Sequence, residues 1–211
     1  MSQAPRIAVV DYGMGNRRSV EKALVRAGAR VQVTREPSAL RAADGLVVPG
    51  VGAFPHAMRS LRELGLDELV RERVVAGTPL LGICLGMQLL FDGSEEMGGD
   101  EGLCLVAGSV TGLDTRGANL PHIGWNEVRW RRESDLVAGL APARAFYHVH
   151  SFVPRPVDDA DVLGESEYGE RFATAVEHGH VFGVQFHPEK SSGDGLRLLA
   201  NFSAACARVA A

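Results

Sequence analysis

The chain has 211 residues, 45% of them hydrophobic and 23% charged, with a net charge of −4 at pH 7. That length predicts one domain spanning residues 1–211 with a substantial core, and the negative balance gives no support to a nucleic-acid or anionic-membrane surface. No apolar run approaches the roughly 20 residues that cross a bilayer, and Met1 to Pro5 lead into a strand-like segment without a signal peptide's apolar centre, so a cytoplasmic protein is expected.

The first half alternates short apolar runs with helical stripes. Ile7-Ala8-Val9-Val10 reads as a buried strand and ends in the turn-rich Asp11-Tyr12-Gly13-Met14-Gly15-Asn16. Val20, Ala23, Leu24 and Ala27 then recur at helical spacing, with Gly28 where a helix C-terminal glycine belongs. Val31-Gln32-Val33 and Gly45-Leu46-Val47-Val48 are further strands, and the latter runs into a glycine loop, Pro49-Gly50-Val51-Gly52-Ala53-Phe54. Leu66, Leu69, Val70 and Val74 form another helical stripe before the strand Leu80-Leu81-Gly82-Ile83. Continuous apolar strands alternating with helices predict a parallel sheet covered on both faces.

Cys84 follows that strand, between Gly82 and Gly86, and a helix is expected from Leu85 to Phe91. A thiol on a sharp strand-to-helix turn is accessible, and a helix dipole there favours the thiolate. The amide of Leu85 would point at an oxyanion formed on a carbonyl that Cys84 attacks. Val51 or Gly52 in the glycine loop offers a second donor, although the loop could equally be a simple tight turn. By itself a Gly-x-Cys-x-Gly is more often a close-packed buried cysteine. Cys104 and Cys206 read as packing residues, and the three cysteines fit neither a disulfide framework nor a zinc site.

Strand-like pieces come closer together in the second half: Phe146 to Phe152, Phe172 to Glu177, and Val181 to Phe186, with His178-Gly179 as a hairpin loop. The expected sheet is therefore mixed, parallel at its centre with antiparallel additions. His187-Pro188-Glu189 follows the last strand, and a helix carrying Leu196, Leu199 and Phe202 starts after Ser192. His187 is a candidate general base, and Glu189 can hold its second ring nitrogen. His148 and His150 share a strand face, but no recognisable ligand spacing completes a metal site, and no metal or cofactor is assigned.

Gly82 to Gln88 together with Phe186 to Glu189 resembles the class I, or triad-type, glutamine amidotransferases. The resemblance implies an α/β three-layer sandwich, mainly parallel, with the cysteine on a nucleophile elbow. It also implies Cys84 as nucleophile, His187 as acid and base, and Glu189 as orienter. Gly52, Gln88 and Ser151 would lie at the glutamine, and the backbone of Val51 and Leu85 would form the oxyanion hole. The motifs Asp11 to Asn16, Pro49 to Phe54, Pro121 to Asn126, His150-Ser151 and His187 to Ser192 are similar to those of the glutaminase subunits of imidazole glycerol phosphate synthase. That likeness implies a separate (β/α)8-barrel cyclase as partner, faced by Asn16, His122, Trp125 and Lys190. Residues 129–144 match no motif. Competing readings are another class I glutaminase, a non-catalytic docking subunit, and a free cysteine hydrolase.

Overall fold

A computed structural model describes residues 4–209; Met1 to Gln3, read above as the lead-in to the first strand, lie outside it, as do Ala210 and Ala211. In chain order the elements are β1 (Arg6–Val10), α1 (Arg17–Arg26), β2 (Arg30–Thr34), α2 (Pro37–Arg41), β3 (Gly45–Gly50), α3 (Phe54–Glu63), α4 (Leu66–Val75), β4 (Leu80–Cys84) and α5 (Leu85–Gln88). There follow β5 (Gly93–Ser94), β6 (Asp100–Glu101), β7 (Gly108–Gly112), β8 (His122–Trp130), β9 (Ala143–His150), β10 (Phe152–Pro156), β11 (Val162–Tyr168), β12 (Glu170–His178), β13 (Val181–Val184) and α6 (Ser192–Val209).

Among the described residues, nine strands form the main sheet in the order β2-β1-β3-β4-β13-β12-β11-β8-β9. Pairing is parallel from β2 through β13 and antiparallel beyond it, as the spacing predicts. Strand side chains alternate between faces. Ile7 and Val9 therefore pack with Val20, Leu24, Leu199 and Phe202 from α1 and α6. Ala8 and Val10 pack on the other side with Met58, Leu61, Leu69 and Val70 from α3 and α4. These are the two helical layers.

Several elements differ from the sequence reading, each for a local reason. β2 is an edge strand with exposed Arg30 and Gln32 between half-buried valines, so it alternates instead of being apolar throughout. α2 and α3, each with a proline in its first turn, were not evident, because in each case the chain leaves a strand through a short polar or glycine-rich turn. The expected strand from Phe146 to Phe152 is two strands: β9 ends the main sheet, and β10 joins a second sheet of order β10-β7-β5-β6. Ser151 is the joint between them. The hairpin between β12 and β13 pairs His178 with Val181, so its loop is Gly179-His180, with Gly179 at φ 59°.

Candidate active site

The site lies at the carboxyl ends of the parallel strands, where open α/β sheets hold their ligands. Pro49 pairs with Ile83, and Gly50 with Cys84, across the β3–β4 ladder. The glycine loop therefore begins level with the nucleophile. Cys84 itself has φ 56° and ψ −115°, a strained backbone for a non-glycine residue. The two neighbouring glycines make this turn possible. A Cβ on Gly82 would come within 2.5 Å of the Gly86 carbonyl oxygen, and one on Gly86 within 1.8 Å of the Val48 oxygen.

The helix expected over residues 85–91 is a single turn, Leu85–Gln88, continued by the turn residues Leu89 and Leu90. So short a segment supplies little dipole. The charge beside the thiol comes instead from His187.

His187 stands on a 3₁₀ turn, Pro188–Lys190, that follows β13. Its amide donates to the Tyr147 carbonyl at 2.8 Å, and its carbonyl accepts from the Ser191 hydroxyl at 2.7 Å. The turn brings the Glu189 carboxylate back to the ring, where Nδ1–H of His187 donates to Oε1 at 2.8 Å. Both side chains are almost wholly buried, at 1% and 0% exposure. Among the described residues, Nε2 of His187 has no partner of hydrogen-bonding geometry. Burial works against the imidazolium, but the Cys84 sulfur and the Glu189 carboxylate together outweigh it, and the His187 pKa rises to about 9.

Cys84 opens on a cavity of about 260 Å³ that is also lined by Val51, Gly52, Leu85, Gln88, Glu96, His150, Ser151 and His187. All the residues expected at the nucleophile, the base, the oxyanion hole and the glutamine thus border one space, except Glu189, which stands behind His187. A larger cavity of about 730 Å³ lies between Trp130 and Pro142, in the stretch without a motif, and includes none of these residues.

A polar chain backs the cavity wall. Gln185 Nε2 donates toward Cys84 Sγ at 3.8 Å, and Gln88 Nε2 donates to Gln185 Oε1 and to the Phe152 carbonyl, both at 3.1 Å. His150 Nδ1–H donates to the same carbonyl at 3.1 Å, which leaves its Nε2 to accept from His122 Nδ1–H at 2.9 Å. Asn126 closes the chain, donating to His122 Nε2 at 3.3 Å. Burial, reinforced by His122, lowers the His150 pKa to about 3, so this ring is neutral and can accept.

The family profile "Glutamine amidotransferase class-I" matches residues 8–206. The chain is 50% identical over 196 residues to the imidazole glycerol phosphate synthase subunit HisH of Moorella thermoacetica, covering 93% of each chain. It is 46% identical over 198 residues to the HisH subunit of Aquifex aeolicus, covering 93% of this chain and 95% of that one. The chain belongs to the class I glutamine amidotransferases, on the HisH branch. A solved glutamine amidotransferase, 23% identical, superposes with a TM-score of 0.74 over 95% of this chain and 98% of the other, which bears out the fold.

In this amidotransferase the residues expected to face a partner do not all reach the surface. Trp125 is 54% exposed, Lys190 is exposed, and Asn16 is half-buried. Lys190 Nζ lies 5.6 Å from the Tyr147 ring centroid, and Trp125 meets the same ring edge-on at 6.4 Å. His122 differs from the expectation. It is buried at 3%, stacked between His148 and Tyr168, because β8 turns its side chain inward. Leu120, Ile123 and Val51 are exposed apolar side chains, and Val51 lines the cavity.

Sequence reasoning missed Glu96 and Gln185. Glu96 lines the cavity, with Oε2 accepting from the Phe54 amide at 2.8 Å. Nothing in the polar stretch around it distinguishes it beforehand. Gln185 carried a usable signal, a polar residue within an otherwise apolar strand pattern.

Proposed function

We propose that this chain is a cytoplasmic glutaminase, a single amidotransferase domain that releases ammonia from glutamine and passes it to a cyclase subunit in histidine biosynthesis. The observation that carries the reading is the geometry: His187, its Nδ1–H held by Glu189 at 2.8 Å, lines one cavity with Cys84, Gln88 and the glycine loop.

In the reaction, Cys84 Sγ attacks the side-chain amide carbon of glutamine. The carbonyl electron pair moves onto oxygen, where the amides of Val51 and Leu85 stabilise it. His187 gives its proton to the departing nitrogen, and ammonia leaves a glutamyl thioester. Neutral His187 then takes a proton from water, which attacks the thioester; collapse frees glutamate and leaves the Cys84 thiolate beside protonated His187, as at the start. Glu189 keeps the imidazole in one orientation throughout. Gln88, Ser151 and Gly52 border the bound substrate, and the Glu96 carboxylate suits its α-ammonium.

The partner is a (β/α)8-barrel cyclase docked over the face bearing Trp125 and Lys190. There ammonia reacts with a phosphoribulosyl-formimino carboxamide ribonucleotide to give imidazole glycerol phosphate and an aminoimidazole carboxamide ribonucleotide. Support comes from the HisH relatives and from the exposed side chains of Trp125, Ile123 and Leu120.

The test is glutamate release with and without the cyclase and its ribonucleotide, in the wild type and in Cys84→Ala. Strong stimulation by the cyclase and loss of turnover in Cys84→Ala are expected. Turnover that ignores the cyclase would sink the partnership, and turnover that survives Cys84→Ala would sink the mechanism.

A further inference from the structure

Tyr12 has no part in the reaction as written, yet its hydroxyl is buried beside the nucleophile's turn. The residue is 2% exposed and donates to the Pro49 carbonyl at 2.6 Å. Burial, with the charge of Cys84 adding to it, pushes the phenol pKa far up, so the hydroxyl remains a donor at any working pH. The rest of the turn after β1 also closes on the glycine loop. A Cβ on Gly15 would stand 3.3 Å from the Pro49 carbonyl, and one on Gly52 would stand 2.8 Å from the Met14 methyl.

Gly50 lies inside this contact. A Cβ there would meet Leu85 Cβ at 2.7 Å, the Gly86 amide nitrogen at 2.8 Å and the Tyr12 oxygen at 2.9 Å. Tyr12 thus fixes the chain on one side of Gly50, and Gly52, at φ 103° under Met14, fixes it on the other. Between the two fixed points the Gly50–Val51 peptide is the unit left to orient. Its N–H is the oxyanion donor in the mechanism above.

We infer that Tyr12 is a positioning residue for the oxyanion hole, its hydroxyl anchoring Pro49 so that the Val51 amide is aimed at the tetrahedral intermediate. The inference rests on the glutaminase reading. It assigns to the Asp11 to Asn16 turn a function distinct from packing, because a satisfied core hydroxyl would affect stability and leave transition-state binding untouched.

Tyr12→Phe keeps the ring and removes only the donor. With glutamine and the assembled synthase, kcat is expected to fall about 10- to 100-fold with KM within about twofold, the pattern for an interaction made in the transition state. Glutamate γ-semialdehyde serves as the probe of the hole: Cys84 sulfur bonds to its aldehyde carbon, and the oxygen gains the electron pair that the hole must hold. Its inhibition constant should rise in step with the loss of kcat. Alkylation of Cys84 by iodoacetamide, which needs no oxyanion hole, should keep its rate. Leu69→Ala in α4 provides a destabilised control without the lost hydroxyl, and should retain kcat.

Unchanged kcat and semialdehyde affinity in Tyr12→Phe would overturn the inference. So would an equal loss of alkylation rate, or a loss of kcat that Leu69→Ala reproduces at matched stability. Cys84→Ala, run alongside, separates these outcomes from failure of the glutaminase reading, which alone would leave it active.

Discussion

Nδ1 of His122 lies 2.9 Å from Nε2 of His150, and both rings are buried. Because His150 spends its own Nδ1–H on the Phe152 carbonyl, its Nε2 can only accept, and His122 must be the donor. His122→Phe keeps the stack on Tyr168, whose ring centroid is 4.1 Å away, and leaves His150 Nε2 without a partner. An unsatisfied buried acceptor costs about 1–3 kcal/mol. Urea unfolding should read a loss of that size, and a variant as stable as the wild type would refute the assigned tautomers.

Buried histidines also set the pH dependence of stability. His148 and His150 are held below their ordinary values by burial, His150 at about 3. As pH falls below about 6.5 the unfolded chain takes up protons that the native rings refuse, so each costs about 1.4 kcal/mol per pH unit. His187 has the opposite sign. Its pKa of about 9 lies above the unfolded value, so its stabilisation is complete below about 6.5 and is lost as pH rises through 9. Unfolding midpoints at pH 5, 6.5 and 9 should therefore pass through a maximum near the middle value; a steady rise with pH would contradict the His187 assignment, and a steady fall would contradict that of His148 and His150.

The parallel half of the fold was legible where its strands β1, β3 and β4 are unbroken apolar runs and its helices α1 and α4 carry clear stripes. Val20, Ala23 and Leu24 are buried in α1 as their spacing predicts. The second sheet was not legible, since β5 and β6 are two residues each and β10 continues the pattern of β9 with no break in hydrophobicity. For the site, Cys84, His187 and Glu189 stood out through residue type and glycine spacing. His122 was placed on the partner face, together with Trp125, because the likeness to the glutaminase subunits implies it there. Their three-residue separation on a strand puts the two side chains on opposite faces, and that parity was available in the sequence once β8 was recognised as a strand.

Gly86→Ala tests the close approach at the nucleophile's turn. The added methyl would fall 1.8 Å from the Val48 carbonyl oxygen, which belongs to β3 and cannot rotate away as a side chain can. Overpacking against backbone at a fully buried site should cost about 3 kcal/mol or more and displace Leu85. Chemical denaturation and glutamine turnover would both fall. A variant of wild-type stability would mean that α5 sits further from β3 than described.

Trp125 is an exposed aromatic that shares a contact with Lys190 through Tyr147. If the cyclase covers this face, Trp125 has the size and exposure of an energetic anchor. Trp125→Ala should then weaken cyclase binding by about 2 kcal/mol, roughly 30-fold in Kd, by titration calorimetry. Unaltered affinity would move the docking face elsewhere.

The last prediction concerns the alkaline limit of catalysis. Ammonia leaves with a proton from His187, so the histidine must enter the first half-reaction as imidazolium. With its pKa at about 9, the protonated form prevails at neutral pH and is lost above that value, and kcat/KM for glutamine should fall along a limb centred near pH 9. Glu189 supplies one of the two interactions that raise the value against burial. In Glu189→Gln that carboxylate charge is gone while the hydrogen bond to Nδ1–H can persist through the amide oxygen. The sign follows directly: the imidazolium is less stabilised, its pKa drops, and the alkaline limb moves to lower pH together with a fall in kcat. A limb that stays in place in Glu189→Gln would show that Cys84 alone holds the proton on His187.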